Sequence, residues 1–195
     1  MPFLLLMLLQ ISLTIVAVNV PTIGEELFRI NLNSIGIIVV VPAGIGATVA
    51  ALLVPRLLKR GFRKKRIIEY GLLTIAISSF LMIIVVPLFA GILRVLVGMF
   101  IIIFFGMSFI SILIPSQTFL QETTPGGLRG RVFGNFWFLV TIATVFPLIF
   151  SGTLVELFGI KLLLFLFAIF SLLIYGFSKR FGQGFLSDNN NSKNV

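Results

Sequence analysis

Charged residues fall along this chain in clusters, and between the clusters the sequence is almost wholly apolar. Six stretches contain no Asp, Glu, Lys or Arg: Met1 to Gly24, Ile30 to Pro55, Tyr70 to Leu93, Val95 to Gln121, Val132 to Val155 and Leu162 to Ser178. They run to 24, 26, 24, 27, 24 and 17 residues. About 20 apolar residues cross a ~30 Å hydrocarbon core as a helix, so five are long enough and the sixth, dense in Leu and Phe, falls just short. In lipid the backbone must satisfy its own hydrogen bonds, which predicts a helix for each. Barrel strands alternate in polarity over about ten residues, and runs such as Ile101-Ile102-Ile103-Phe104-Phe105 do not. The first stretch lacks a basic leading segment and is too long for the apolar part of a signal peptide, so it reads as the first helix. The expected fold is all-α and integral to the membrane, one unit over 1–181 with spans at about 2–24, 32–55, 67–90, 92–121, 131–156 and 160–178.

Composition agrees. The chain is 58% hydrophobic and 11% charged, with a mean hydropathy of +1.18. Soluble domains are about half apolar and a quarter charged. A water-soluble globular domain, a disordered chain and a coiled coil are thereby excluded. The sequence has no Cys and no His, which removes disulfides, a zinc site of ordinary ligands and Cys- or His-based catalysis. No cofactor or metal is expected.

The net charge of +9 would point to nucleic acid in a soluble protein, but the positions of the charges decide otherwise. Between spans two and three lie Arg56, Lys59, Arg60, Arg63, Lys64, Lys65 and Arg66; between four and five, Arg129 and Arg131; after six, Lys179, Arg180 and Lys193. These 12 fall on one side of a six-span chain, against three, Arg29, Arg94 and Lys161, on the other. The positive-inside rule puts the rich side, and both termini, in the cytoplasm; five spans would put the basic tail outside. Tyr70, Trp137 and Tyr175 fall near cytoplasmic helix ends, where aromatic anchors sit at headgroup depth. The polar tail, 182–195, is expected to be disordered and cytoplasmic, where its Asn190-Asn191-Ser192 sequon would carry no glycan. The basic loop reads as an orientation signal that also meets anionic headgroups. No nucleic-acid-binding fold accompanies it, so no nucleic-acid partner is expected.

Small residues recur inside the spans: Gly36, Ala43, Ala47 and Ala50 in the second, Gly91, Gly98 and Gly106 in the fourth. They permit close helix packing or a Gly/Pro-interrupted helix that gates a cavity. Pro42, Pro115 and Pro147 invite kinks. Uncharged polar residues cluster too: Gln10 and Thr14 share a face of span one, Ser108, Ser111, Gln117, Thr118 and Gln121 lie in span four, and Asn135, Thr141 and Thr144 in span five. Such groups bond between helices or face a water-filled cavity. No ionisable residue sits at mid-depth in any span, so no proton relay is visible. No intramembrane metal ligands, Ser–base pair or paired carboxylates occur, and the protein is not expected to be an enzyme.

Six helices with both ends inside and a short basic loop after the second resemble one half of a major facilitator superfamily (MFS) transporter. The signature of that loop reads Gly-x-x-x-Asp-Arg-x-Gly-Arg-Lys/Arg. Here Arg60, Arg63 and Lys64 match it, whereas Pro55, Lys59 and Phe62 stand at the Gly, Asp and second Gly positions. The charge-relay role attributed to that Asp is not carried over. Pro125-Gly126-Gly127-Leu128-Arg129-Gly130-Arg131-Val132 is similar to the loop before the eleventh helix of drug and siderophore exporters, and Ser151 to Gly159 to the end of that helix. The order and spacing match helices seven to twelve, the C-terminal half.

The resemblance implies secondary active transport, by proton-coupled efflux of a small lipophilic or amphipathic compound across the plasma (inner) membrane. It implies that the first and fourth helices line the central cavity, which makes Gln10, Thr14, Ser108 and Ser111 the candidate substrate contacts. The chain would be a fragment, or one part of a split transporter whose N-terminal six-helix half carries the better signature loop and the energy coupling. Two alternatives stand beside this: a half-size transporter acting as a homodimer, and a membrane protein that does not transport.

Overall fold

A computed structural model of the chain describes residues 2–181, and every regular element among the described residues is helical. The expected tail, 182–195, lies outside them. Six main helices follow one another: α1 (Pro2–Val18), α2 (Val41–Lys59), α3 (Lys64–Ile84), α4 (Gly91–Thr123), α5 (Arg129–Phe158) and α6 (Ile160–Phe181). With their flanking turns, five segments are long and apolar enough to cross a membrane: Leu32–Lys59, Lys64–Leu88, Gly91–Thr123, Gly126–Phe158 and Ile160–Arg180. A sixth qualifies only as a bent pair, Leu6–Val18 with Val20–Phe28, at 54° to each other.

That bend departs from the continuous first helix expected from the sequence. The apolar run does not register its two causes. Asn19 bonds back to the Ile15 carbonyl (2.8 Å) instead of leaving the turn to its neighbours, and Pro21 has no N–H to give. A π-helical turn, Ile23–Phe28, follows the proline, and a second, Gly36–Val40, precedes Pro42. Widened turns thus sit beside prolines, where an i→i−4 bond is already lost. Pro42 itself occupies the first turn of α2, the place in a helix that tolerates it. Pro115 and Pro147 lie inside α4 and α5, which continue through them.

The exposed faces are as apolar as the buried ones. Phe146, Ile92, Leu88 and Leu157 are each more than 70% exposed. Helices apolar all round, with no polar outer face, are membrane helices when the apolar side chains face outward. The chain is therefore an all-α bundle of membrane-spanning character.

Helix α4 is the centre, flanked by α1, α2 and α3; α6 lies against α3, and α5 against α1. Glycine sets the tight crossings. An added Cβ on Gly46 of α2 would lie 3.0 Å from the Met107 amide nitrogen of α4, and one on Gly106 of α4 would lie 2.9 Å from the Ala43 carbonyl carbon of α2. On α3, a Cβ at Gly71 would lie 3.2 Å from the Ser108 carbonyl. The Phe28 ring rests on Gly98. Of the small residues singled out in spans two and four, Ala43, Gly98 and Gly106 thus act in packing, whereas nothing comes within 4 Å of an added Cβ on Gly36 or Gly91.

Polar groups tie the bundle at both ends. At one end Lys64 pairs with Glu122 across α3 and α4. There Glu69 takes Lys65 (3.6 Å) and the Ser178 hydroxyl (3.1 Å) of α6. At the other end Glu26 accepts the amide of Ile160 (3.0 Å) and so caps α6, a negative charge at a helix N-terminus. Between them, Ser171 of α6 donates to the Leu72 carbonyl of α3 (2.7 Å).

Candidate functional site

The end of α1 and the first half of α2 face each other across α4. The gap is a cavity of about 450 Å³. Leu13, Val16, Ala17 and Val20 form one wall, Ala43, Gly44 and Ala47 of α2 the opposite wall, and Ile102, Phe105, Gly106 and Phe109 of α4 the floor. Ser79 and Met82 of α3 close it. The volume falls in the range of small-molecule sites, about 300–1,000 Å³.

Its chemistry is nearly uniform. Among the described residues no ionisable side chain lines it, and Ser79 is the one polar residue of the lining. That residue is fully buried, and its hydroxyl has no hydrogen-bond partner. A buried hydroxyl left unpaired costs about 1–3 kcal/mol. The hydroxyl is closed off from the cavity space, so a ligand there would meet an apolar lining, and a charged one would lose its hydration without a counter-charge.

The four residues singled out from the sequence stand elsewhere. The hydroxyls of Thr14, Ser108 and Ser111 bond to carbonyls one turn back on their own helices, those of Gln10 (3.0 Å), Phe104 (2.6 Å) and Met107 (2.8 Å). Ser108 is buried at the α3 crossing. Gln10 is half-buried on α1, one turn before Leu13. None of the four lines the cavity. The structure brings Gln10 and Thr14 together on α1, and Ser108 and Ser111 on neighbouring turns of α4.

The loop residues are placed as follows. Arg60 is the C-cap of α2, Arg63 the N-cap of α3, and Lys64 its first residue. Arg129 opens α5 and donates to the Thr124 carbonyl (3.3 Å), with Gly130 and Arg131 exposed beside it.

Sequence reasoning passed over several residues that carry structure. Asn19 is buried at the bend and reaches Ser151 of α5 (3.4 Å). Asn in the middle of an uncharged run was the available signal. For Ser79 there was none, because Ser is commonplace in such helices and its missing partner shows only in three dimensions. Comparison with protein-family models, with characterised proteins and with solved structures finds no match to this chain.

Proposed function

We propose that this chain is a six-helix unit of a secondary transporter of the MFS type, corresponding to helices seven to twelve, which exports small lipophilic or amphipathic compounds. The observation that carries the reading is the pattern of helix neighbours. In that superfamily each six-helix half is built from two three-helix repeats of opposite orientation. Exchanging α1–α3 for α4–α6 turns the α2–α4 pair into the α5–α1 pair and maps α1–α4 and α3–α6 onto themselves. All four are packed pairs here. The counterpart of the α3–α4 pair, α1 with α6, is looser and opens onto an apolar cleft of about 420 Å³ shared with α5. The apolar cavity fits a lipophilic cargo better than a charged one.

On this reading the 12 basic positions face the cytoplasm of the plasma (inner) membrane, and the apolar cavity, which Gln10, Thr14, Ser108 and Ser111 do not line, would hold the substrate. Transport requires two six-helix units, either this chain with an N-terminal half or two copies of it. The test is efflux of a neutral lipophilic dye from cells deficient in exporters, with the chain expressed alone and with a six-helix half encoded beside it. Dye efflux that collapses with the proton gradient in one of these assemblies is the expected result. No efflux from either, with the protein present in the membrane, overturns the reading.

A further inference from the structure

The loop from α2 to α3 holds seven cations in twelve residues, Pro55 to Arg66. Carboxylates reach only two of them, Lys64 through Glu122 and Lys65 through Glu69. Among the described residues Arg56, Lys59, Arg60, Arg63 and Arg66 have no ion pair.

Three of these five converge. Arg60, Arg63 and Arg66 surround one open concavity of about 340 Å³, together with Gly61 and Phe62. The backbone dictates the convergence. Gly61 takes φ +86° and reverses the chain after Arg60, and the amides of Gly61 and Phe62 return to the carbonyls of Leu58 (3.1 Å) and Leu57 (3.2 Å). This is the glycine-terminated helix end that closes α2. Arg63 is then extended and accepts the amide of Arg66 (3.0 Å), which starts α3. Arg63 and Arg66 therefore stand at the first turn of one helix, and Arg60 faces them from the last turn of the other.

Three arginines that border one hollow and have no carboxylate partner leave like charges uncompensated, which an anion in the hollow would relieve. Their planar donor pairs fit the oxygens of a phosphate, and the N-terminal end of α3 adds a partial positive charge. Phe62 lines the same hollow and is 50% exposed. An exposed ring beside the cations, at the mouth of two membrane-spanning helices, is suited to the glycerol and upper acyl region of a lipid. We propose that Arg60, Arg63 and Arg66 form a discrete binding site for the phosphate group of an anionic phospholipid. It is a site with a stoichiometry, distinct from the general attraction of a basic loop to a charged surface.

The test uses the purified full-length chain in neutral detergent and native mass spectrometry of bound lipid. Phosphatidylglycerol, phosphatidylcholine and inorganic phosphate are the three probes. The expected result is one phosphatidylglycerol retained per chain, little phosphatidylcholine, and no displacement by millimolar inorganic phosphate. In R60Q/R63Q/R66Q retention falls by at least about tenfold, because the charged, paired donors to the phosphate oxygens are gone. R60K/R63K/R66K, which keeps the charge but not the paired donors, falls between the two. Arg56→Gln with Lys59→Gln and Lys179→Gln removes as many charges from outside the hollow and leaves retention intact. Equal loss in this control overturns the site in favour of a diffuse field. Displacement by inorganic phosphate overturns its assignment to a lipid. Unchanged elution and helical content of the variants exclude misfolding as the cause.

Discussion

The α2–α4 crossing gives the sharpest test of the packing. Replacing Gly46 by Ala puts a methyl 2.8 Å from the carbonyl carbon of Ile103 and 3.0 Å from the Met107 nitrogen, where ordinary contact begins at 3.4 Å. The obstacle is backbone, with the Ile103 carbonyl oxygen nearest of all, so no rotamer change relieves it, and α2 must retreat by at least the ~0.5–1 Å that already weakens a dispersion contact. A gap of that size forfeits about a quarter to a half of each dispersion contact along the crossing, and forced overpacking typically costs about 1–3 kcal/mol. Gly106→Ala meets Ala43 in the same way and is expected to cost as much. The double substitution is expected to cost less than the sum, because one separation of the helices accommodates both methyls. The control lies two residues from Gly46. Around Gly44 nothing comes within 4 Å of an added Cβ, so Gly44→Ala is expected to be neutral or, through helix propensity, stabilising by up to about 1 kcal/mol. The assay is unfolding free energy in mixed micelles titrated with SDS. Gly44→Ala as damaging as Gly46→Ala, or fully additive losses at Gly46 and Gly106, would refute the proposed crossing.

Other substitutions probe the polar contacts. Asn19→Ala and Ser151→Ala in a double-mutant cycle are expected to show a coupling of about 0.6 kcal/mol, the average for such bonds between membrane helices; zero coupling removes the α1–α5 tie. Glu26→Ala is expected to lose the cap on α6 at a cost of about 0.5–2 kcal/mol, read as faster amide exchange at Ile160, while Glu26→Gln keeps an acceptor and loses less. Ser79→Ala removes an unpaired buried hydroxyl and is expected to leave the ligand-free protein equally or more stable; a loss above about 1 kcal/mol would mean that the hydroxyl has a partner.

The spans were legible because hydrocarbon excludes charge. Arg56, Glu69, Arg94 and Glu122 lie within a turn or two of the helix ends, and the helices run past the uncharged stretches at Arg56 to Lys59, Lys64 to Glu69, Arg94, Glu122, Arg129 to Arg131, Glu156 and both ends of α6. Gly98 and Gly106 were legible as packing sites, since a missing side chain in lipid has few other uses. The break at Asn19 was not, because the apolar run continues through it to Gly24. Nor was the cap of α6 by Glu26, which joins positions 134 residues apart. The polar residues of α1 and α4 gave the least reliable guide to a cavity. Ser and Thr in a helix can bond to their own preceding turn, and Thr14, Ser108 and Ser111 do so. The cavity is lined instead by apolar residues of α1, α2 and α4, beside the glycine crossing that draws α2 onto α4.

Whether the chain crosses the membrane six times is decided most directly by its topology. The sequence contains no Cys, so single cysteines can be introduced and labelled with an impermeant maleimide on intact cells and on inverted vesicles. Six crossings predict that a cysteine on a short N-terminal extension, Lys59→Cys, Gly126→Cys and Lys179→Cys react from the cytoplasmic side, and Asn31→Cys, Ala90→Cys and Lys161→Cys from the other. If the N-terminal cysteine instead reacts from the same side as Asn31→Cys, the bent first segment dips into the membrane without crossing it, the chain has five spans, and the half-transporter reading fails with it.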